Sequence, residues 1–194
     1  MAPRPGAVLV DLGCGAGLLA PHIAGKGYRH VGVDLNASAL DQAANHDVRV
    51  ISGDVLAVPL GDEIADVVSA GEILEHVTDH PQAIREACRL LRPGGVLVID
   101  TIASTWLARV IAVGVAERIP GGAPRGIHDP RLFVNRQSLV ETCADNGVVL
   151  ELNGLRPSFM SMIAWFTRLR PSARMVMTPL TSVLFQGVGV KESA

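Results

Sequence analysis

The stretch VLVDLGCGAGLLA, residues 8–20, decides the fold. In it a short apolar run ends in Asp11, and Gly13, Gly15 and Gly17 follow at alternate positions. An apolar run that leads into glycine is typical of a buried strand followed by a tight turn. Glycine at that turn lets the backbone approach a ligand that a Cβ atom would exclude. We therefore expect a strand, a ligand-binding loop and the start of a helix.

Strand and helix patterns alternate from this stretch as far as residue 101. Such alternation predicts parallel strands joined by right-handed crossovers, with helices on both faces of the sheet. Asn36 or Ser38 is expected to cap the second helix, because both side chains accept hydrogen bonds from free backbone N–H groups. The predicted strands are residues 8–12, 29–35, 48–52, 65–70 and 96–99, and the predicted helices are residues 18–25, 37–45 and 81–91.

The pattern changes after residue 101. Residues 104–118 are apolar and predict a helix, and a loop is expected at 121–130, where glycine and proline are frequent. A closing strand is predicted at 183–190, although its glycines weaken the pattern. The other predicted elements are a helix at 136–146, a strand at 148–152 and an apolar segment at 159–169.

Composition and charge exclude several classes of protein. The chain has 194 residues, of which 48% are hydrophobic and 19% charged, and this composition is globular. Its formal net charge is −2, so no basic field indicates nucleic acid as a partner. The three cysteines are an odd number far apart in apolar surroundings, which favours a reducing compartment such as the cytoplasm. No signal peptide is expected, and no apolar run approaches the roughly 20 residues of a membrane span.

The charge beside the glycines indicates which ligand the loop accepts. A dinucleotide-binding fingerprint that begins at Gly13 requires glycine at position 18, where this chain has Leu18. Asp11 lies two residues before the first glycine and would repel a pyrophosphate, whereas a cation would be attracted. The pattern therefore favours S-adenosylmethionine, which carries a sulfonium and an amino group and no phosphate. A nicotinamide oxidoreductase is the less favoured alternative, also because the only tyrosine, Tyr28, belongs to no Tyr-x-x-x-Lys pair.

One further aspartate lies at the end of the second predicted strand, and another follows the third. Asp34 lies about 20 positions after the glycines, where an acidic side chain can accept hydrogen bonds from both ribose hydroxyls. Asp54 is placed to meet the adenine amino group. Each has a purely structural alternative, since Asp34 could cap the following helix and Asp54 could be a solvated turn residue.

Five ordered motifs together resemble the class I S-adenosylmethionine-dependent methyltransferases: DLGCGAG, VGVDL, SGDVLAVPL, EILEHV and RLLRPGGVLVID. The resemblance implies a Rossmann-like methyltransferase fold, which is a doubly wound, mostly parallel α/β sheet with an antiparallel last strand. It implies one domain over 1–194, with a cofactor-binding half at 8–101 and a substrate-side half at 102–194 that contains an apolar insertion at 104–126. The residues it assigns to the cofactor are Asp11, Gly13, Cys14, Gly15, Gly17, Asp34, Leu35, Asp54, Val55 and Glu72, with the Cys14 side chain a small loop filler.

The segment EILEHVTD and the later GIHDPRLFV are similar to the ubiquinone-biosynthesis O-methyltransferase family, which methylates catechol hydroxyls on polyprenylated rings. This resemblance implies a magnesium or similar ion held by Glu72, Glu75 and His76, because positions i, i+3 and i+4 share one face of a helical turn. Such an ion would lower the pKa of a phenol. His128 and His76 are the candidate catalytic histidines. The alternatives are that Glu75 and His76 only brace the cofactor loop, and that His128 is a surface residue.

The same family implies an aromatic, lipid-tailed substrate and contact with the inner face of the membrane. The apolar insertion and the later apolar segment could both form a substrate tunnel or a membrane-facing lip. The alternative is an ordinary core helix with a dimer contact, and the sequence leaves the oligomeric state open. Other open readings are a methyltransferase for another small molecule or lipid, and a cofactor-binding module without catalysis.

Three departures from the family pattern stand out. The family's Asn-Arg pair after the fifth strand is replaced by Ile102, Ala103 and Ser104, and Pro130 stands where a tryptophan is expected. Family members also carry several helices before the glycine strand, whereas this chain reaches that strand by Val8. The expectation is therefore a cofactor crevice without N-terminal lid helices.

Overall fold

A computed structural model describes residues 3–119, 124, 126–170 and 172–193. Its strands are β1 (Ala7–Leu12), β2 (Tyr28–Asp34), β3 (Arg49–Ser52), β4 (Ala65–Gly71), β5 (Leu91–Ile102), β6 (Val148–Pro157), β7 (Met175–Thr178) and β8 (Leu184–Lys191). Its α-helices are α1 (Ala20–Ile23), α2 (Ala37–Ala44), α3 (His80–Leu90), α4 (Trp106–Arg109), α5 (Arg136–Asp145) and α6 (Phe159–Phe166).

The eight strands form one mixed sheet in the order β3-β2-β1-β4-β5-β8-β6-β7. Strands β1 to β5 pair in parallel, β8 lies antiparallel to β5, and β6 and β7 continue the sheet in antiparallel pairs. This arrangement confirms the predicted doubly wound, mostly parallel sheet with an antiparallel last strand. The carboxyl ends of β1, β2, β4 and β5 consequently meet at one edge of the sheet.

Among the described residues, buried side chains form three clusters, and two of them pack against the parallel strands. The main core joins β-strand residues such as Val33 to Ile84 of α3 and Leu139 of α5. A smaller cluster around α2 contains Cys14, Leu40, Ala43 and Val48. A Cβ atom on Gly32, next to Val33 in β2, would meet the Cys14 sulfur at 2.6 Å. Since neighbouring strand residues point to opposite faces, the α2 cluster lies on the face opposite the main core.

Several elements differ in extent from the sequence-based prediction. The first helix covers only Ala20–Ile23, because Leu19 offers no side-chain acceptor at its start and Gly25 soon follows with a φ of +72°. Strand β5 is longer than expected and runs through Pro93 and two glycines, with a shift in its pairing to β4 between Ala65 and Val67. Strand β7 was not predicted. The Asn36 side chain caps α2 by accepting a hydrogen bond from the Ala39 nitrogen, as expected.

The apolar insertion is a broken helix and not the single α-helix predicted over 104–118. The Thr105 hydroxyl caps the start of helix α4 by accepting a hydrogen bond from the Ala108 nitrogen. The chain then continues as a π-helical turn at Val110–Val115 and as a 3₁₀ turn at Ala116–Arg118. Four of the six residues in the π turn are β-branched and one is Gly114, and these residue types weaken α-helix propagation. Residues 120–123 and 125 of the predicted insertion and loop lie outside the described residues. Nowhere in the described ranges is a helix both long and apolar enough to span a bilayer.

Candidate cofactor and active site

A cleft of about 490 Å³ opens at the carboxyl edge of β1, β4 and β5. In open parallel sheets, ligands bind beyond the carboxyl ends of the strands. A second groove of about 630 Å³ lies beside the starts of β1, β2 and β3, where Val8, Tyr28 and Ile51 line it. Because this larger groove lies away from the carboxyl edge, we take the first cleft as the candidate site.

The cleft brings together Asp11, Gly13, Cys14, Gly15 and Glu72, five of the residues expected to bind the cofactor. It adds residues that the sequence analysis did not assign to the site. These are Ala16, Leu18, Leu19, His22, Ser69, Gly71, Asp100, Thr101, Leu155, Met175, Leu184 and Phe185. The remaining predicted site residues are not part of this lining: Gly17, Asp34, Leu35, Asp54, Val55, Glu75, His76 and His128.

The three loop glycines have different physical tasks. All have positive φ angles, of +68° at Gly13, +50° at Gly15 and +80° at Gly17, which L-residues rarely adopt. A Cβ atom at Gly13 would come within 2.5 Å of the Ile73 side chain, and one at Gly17 would lie 3.0 Å from the Ala43 Cα atom in α2. At Gly15 a Cβ atom would meet nothing within 4 Å, so this glycine borders open space. Gly13 and Gly17 therefore allow close packing, and Gly15 leaves room at the cleft.

Asp34 links the end of β2 to the glycine loop. Its Oδ2 atom accepts a hydrogen bond of 2.9 Å from the Gly15 nitrogen, and its Oδ1 atom accepts one of 2.8 Å from the Asn36 nitrogen. The cap of the following helix is Asn36, so the alternative role of Asp34 as that cap is wrong. Leu35 beside it is exposed.

The third predicted cofactor segment contains Asp54, which lies in an exposed turn, and Val55, which lies in the core. The Oδ1 atom of Asp54 accepts a hydrogen bond of 2.9 Å from the Leu56 nitrogen, and the side chain is exposed. Val55 is buried in the main core. The geometry thus agrees with the solvated-turn alternative for Asp54, and the expected contact of Asp54 and Val55 with adenine stays a prediction.

Asp11 and Cys14 lie beneath the loop. The Asp11 carboxylate is buried and has its Oδ2 atom 3.3 Å from the His30 Nε2 atom on β2. Burial raises the pKa of the Cys14 thiol to about 12, with the charges of Asp11 and Asp34 adding to the effect. Cys14 is therefore a protonated thiol at neutral pH and fills space under the loop.

Acidic groups concentrate on the side of the cleft formed by β4 and β5. Glu72 as a whole residue is exposed, but partial desolvation of its carboxyl and the neighbouring Glu75 carboxyl raise the pKa of Glu72 to about 7. Burial and the charge of Glu72 raise the pKa of Asp100 at the end of β5. Glu72 has a φ of +55°, and its nitrogen donates a hydrogen bond of 2.8 Å to the Asp100 carbonyl. Carboxylates crowded in this way are stabilised by a positively charged ligand.

The structure does not assemble the predicted metal triad. Glu72 precedes the 3₁₀ turn at Leu74–His76 instead of belonging to a helical turn, so its side chain does not share a helix face with Glu75 and His76. Glu75 is buried and accepts a hydrogen bond of 2.7 Å from the Thr101 hydroxyl, whereas His76 is exposed. Across the described ranges, no group of three or more His, Cys, Asp or Glu side chains is placed to hold a metal ion.

His128 lies close enough to Glu72 that a positive charge on its ring would lower the pKa of that carboxyl. Its Nδ1 atom is 3.1 Å from the Glu117 Oε1 atom, and its ring meets Phe133 edge-on with centroids 6.4 Å apart. The sequence analysis selected His128 and missed Glu117, since the two are eleven residues apart and no local pattern connects them.

Comparison with known proteins shows the family to which the chain belongs. A family profile described as a methyltransferase domain matches residues 10–99. Among sequence relatives, a ubiquinone biosynthesis O-methyltransferase of Thiobacillus denitrificans is 34% identical over 158 residues, which cover 77% of this chain and 68% of that protein. The chain belongs to the S-adenosylmethionine-dependent methyltransferase family.

Another sequence relative and a solved structure are also methyltransferases by their descriptions. A ubiquinone biosynthesis O-methyltransferase of Methylobacterium sp. is 34% identical over 154 residues, which cover 76% of this chain and 62% of that protein. This methyltransferase chain spans 58–66% of the length of several curated relatives that it matches. A solved structure from Thermotoga maritima, described as a possible histamine N-methyltransferase, superposes with a TM-score of 0.69 at 20% identity. That superposition covers 97% of this chain and 84% of the other and shows the common fold.

Proposed function

We propose that this methyltransferase chain transfers a methyl group from S-adenosylmethionine to a hydroxyl group on a catechol-like or quinone-precursor ring. The observation that carries the proposal is the set of three carboxyl side chains, Asp11, Glu72 and Asp100, which line one cleft at the carboxyl edge of the sheet. A cationic donor without phosphate is the ligand that this set attracts. The names of the sequence relatives support an oxygen acceptor.

The residues around the cleft fit this cofactor. Its volume of about 490 Å³ lies within the usual range for a small-molecule site. The open space beside Gly15 leaves room for the methionine end of the cofactor near Asp11. Asp34 keeps acceptor capacity on both oxygens for the ribose hydroxyls, since each oxygen accepts one backbone hydrogen bond. Leu35, Asp54 and Val55 would flank the adenine.

Bound S-adenosylmethionine would supply a methyl group on a positively charged sulfur, which an oxygen lone pair attacks as the carbon–sulfur bond breaks. A phenol ionises near pH 10 and needs to lose its proton to attack efficiently. His128 would accept that proton at Nε2, and the walls of the cleft would align the ring and exclude water. His76 is exposed in the turn below Glu72 and is the second candidate for this task.

Magnesium does not fit the residues as they lie. Glu72 lies outside the turn that carries Glu75 and His76, one oxygen of Glu75 accepts a hydrogen bond from the Thr101 hydroxyl, and His76 faces solvent. We therefore assign proton transfer to side chains and no step to a metal ion.

Exposed apolar side chains favour an acceptor with a lipid tail and a site of action at the inner face of the membrane. The α4 segment exposes Trp106, and α6 exposes Phe159 and Met160, each by 65% or more. Phe166 is exposed on the same short helix as Phe159 and Met160, and exposed apolar side chains grouped on one element mark sites of interaction with other molecules or membranes. Arg168 and Arg170 follow α6 and would complement anionic lipid headgroups.

The experiment that tests the proposal is product analysis by mass spectrometry. The chain is incubated with S-adenosylmethionine labelled in the methyl group and, in separate reactions, a prenylated catechol, the same catechol without its tail, and an aromatic amine. We expect label on a ring oxygen, with the prenylated catechol preferred. Label on nitrogen, or on another small molecule only, would contradict the acceptor class. Binding of S-adenosylhomocysteine without transfer to any acceptor would instead indicate a non-catalytic binding module.

A further inference from the structure

The Glu117 carboxylate at the end of the broken helix faces several N–H donors, which belong to Gly126 and His128. It lies in the 3₁₀ turn at Ala116–Arg118 and is only 8% exposed. Its Oε2 atom accepts a hydrogen bond of 2.8 Å from the Gly126 nitrogen, and its Oε1 atom accepts one of 3.2 Å from the His128 nitrogen. The same Oε1 atom is 3.1 Å from the His128 Nδ1 atom. These donors, Gly126 first, lower the pKa of Glu117, so the group is a carboxylate at neutral pH.

The charge state of Glu117 fixes which imidazole nitrogen carries the proton. An ionised carboxylate only accepts hydrogen bonds, so the Nδ1 atom that faces it must be the donor. A neutral histidine with its proton on Nδ1 has an unprotonated Nε2 atom, which is then the proton acceptor of the ring. The edge-on contact with Phe133 restricts rotation of the same ring.

We propose that Glu117 is a positioning residue for His128: it holds the imidazole with the proton on Nδ1, so that Nε2 is free to take the proton of the methyl acceptor. The proton on Nδ1 and the charge of Glu117 do not change during this transfer, and the imidazolium formed is stabilised by the adjacent carboxylate. The role in methyl transfer depends on the proposed function, whereas the tautomer of His128 does not.

The test combines kinetics with nitrogen-15 spectra of the histidine rings, in which a His128→Gln sample identifies the His128 signals. In the unmodified chain we expect the proton on Nδ1. Glu117→Gln keeps the size of the side chain, but its amide cannot accept hydrogen bonds at both ends. We expect this variant to lower kcat by roughly 10²- to 10⁴-fold, to change KM little, and to shift His128 towards the Nε2-protonated form.

Two further variants complete the design. Glu141→Gln removes an exposed carboxylate on α5 that contacts Gln137, and we expect it to leave both kcat and the His128 spectrum unchanged. Glu117→Asp retains an acceptor-only group, so we expect the Nδ1-protonated form to persist even where the rate falls. The proposal is overturned if His128 of the unmodified chain carries its proton on Nε2, which is measurable even if Glu117→Gln does not fold.

The outcomes separate this proposal from the proposed function. If the chain methylates no acceptor but Glu117→Gln shifts the tautomer, the positioning role stands and the proposed function fails. If the chain methylates a catechol and Glu117→Gln does so at an unchanged rate, the proposed function stands and the positioning role is overturned.

Discussion

The Asp34 carboxylate at the end of β2 accepts a hydrogen bond of 2.9 Å from the backbone nitrogen of Gly15, and thereby ties the second strand to the glycine loop. One side chain thus serves both the shape of the loop and the expected ribose contact. This double use predicts that a change at Asp34 weakens cofactor binding in two ways at once.

Asp34→Asn is expected to lower the affinity for S-adenosylmethionine about 10- to 100-fold, which corresponds to the roughly 1.5–3 kcal/mol of a charge-assisted hydrogen bond. The amide presents an NH₂ group to one of two backbone N–H donors, so one of these contacts is lost. Isothermal titration of the variant measures the change. Asp41→Asn, an exposed position on α2, is the matched control. Equal affinities of Asp34→Asn and the unmodified chain would show that Asp34 does not touch the ligand.

The raised pKa of Glu72 predicts that cofactor binding depends on pH. Because its pKa is raised to about 7, its carboxylate forms as the pH rises through neutrality. A sulfonium favours the ionised form, so the affinity for S-adenosylmethionine should increase between about pH 6 and about pH 8. S-adenosylhomocysteine has no charge on sulfur and should respond less. Titrations of both ligands at matched ionic strength test this, and Glu72→Gln should remove the difference. An identical pH response of the two ligands would count against a role for Glu72 at the sulfonium.

The glycine loop offers a matched pair of substitutions. Gly15→Ala adds a methyl group in open space and should cost only the strain of a positive φ, about 1–2 kcal/mol of unfolding free energy. Gly13→Ala adds the same strain and a clash with Ile73, so the loss should exceed that of Gly15→Ala by about 1–3 kcal/mol. Urea denaturation measures both, and Ile73→Ala combined with Gly13→Ala should recover part of the excess. Equal losses at the two glycines would refute the packing role of Gly13.

A buried carboxylate at the start of β4 stabilises the fold far from the cleft. Asp66 accepts hydrogen bonds from Arg4, Arg92 and the Val8 nitrogen, and the Arg4 guanidinium is the first cause of a pKa well below the ordinary value. Asp66→Asn should reduce the unfolding free energy by about 1–3 kcal/mol at neutral pH. The carboxylate stabilises the fold above its unfolded-state pKa, so this difference should shrink as the pH falls below about 4.

Urea denaturation over a range of pH checks the Asp66 prediction. Asp62→Asn provides the control, because Asp62 also pairs with an arginine, Arg89, but is largely exposed, and such pairs contribute little. A pH-independent difference between Asp66→Asn and the unmodified chain would mean that the charge of Asp66 is not what stabilises the fold.

Local patterns in the sequence were sufficient to predict the order of strands and helices in the cofactor-binding half. The apolar runs, the Asn36 cap and the position of Asp34 at a strand end depend on residues close in sequence, and the structure has them where they were expected. Asp100 could have been found by the same rule, since it directly follows the strand predicted at 96–99, but the sequence analysis did not apply the rule to this strand.

Features that depend on tertiary packing were not predictable in the same way. Glu75 contacts Thr101, which is 26 residues away, and the left-handed conformation of Glu72 breaks the helical face assumed for the metal triad. Strand β7 forms because it pairs with the extended end of β6, and neither segment alternates clearly in sequence. The Glu117–His128 contact requires the chain to turn back across eleven residues.

The most direct test of the central claim is a crystal structure of the chain with S-adenosylhomocysteine. The account predicts the ligand along the glycine loop, with its amino group near Asp11 and its ribose on Asp34. Density in the groove beside Val8, Tyr28 and Ile51, or an empty cleft at a saturating ligand concentration, would contradict it.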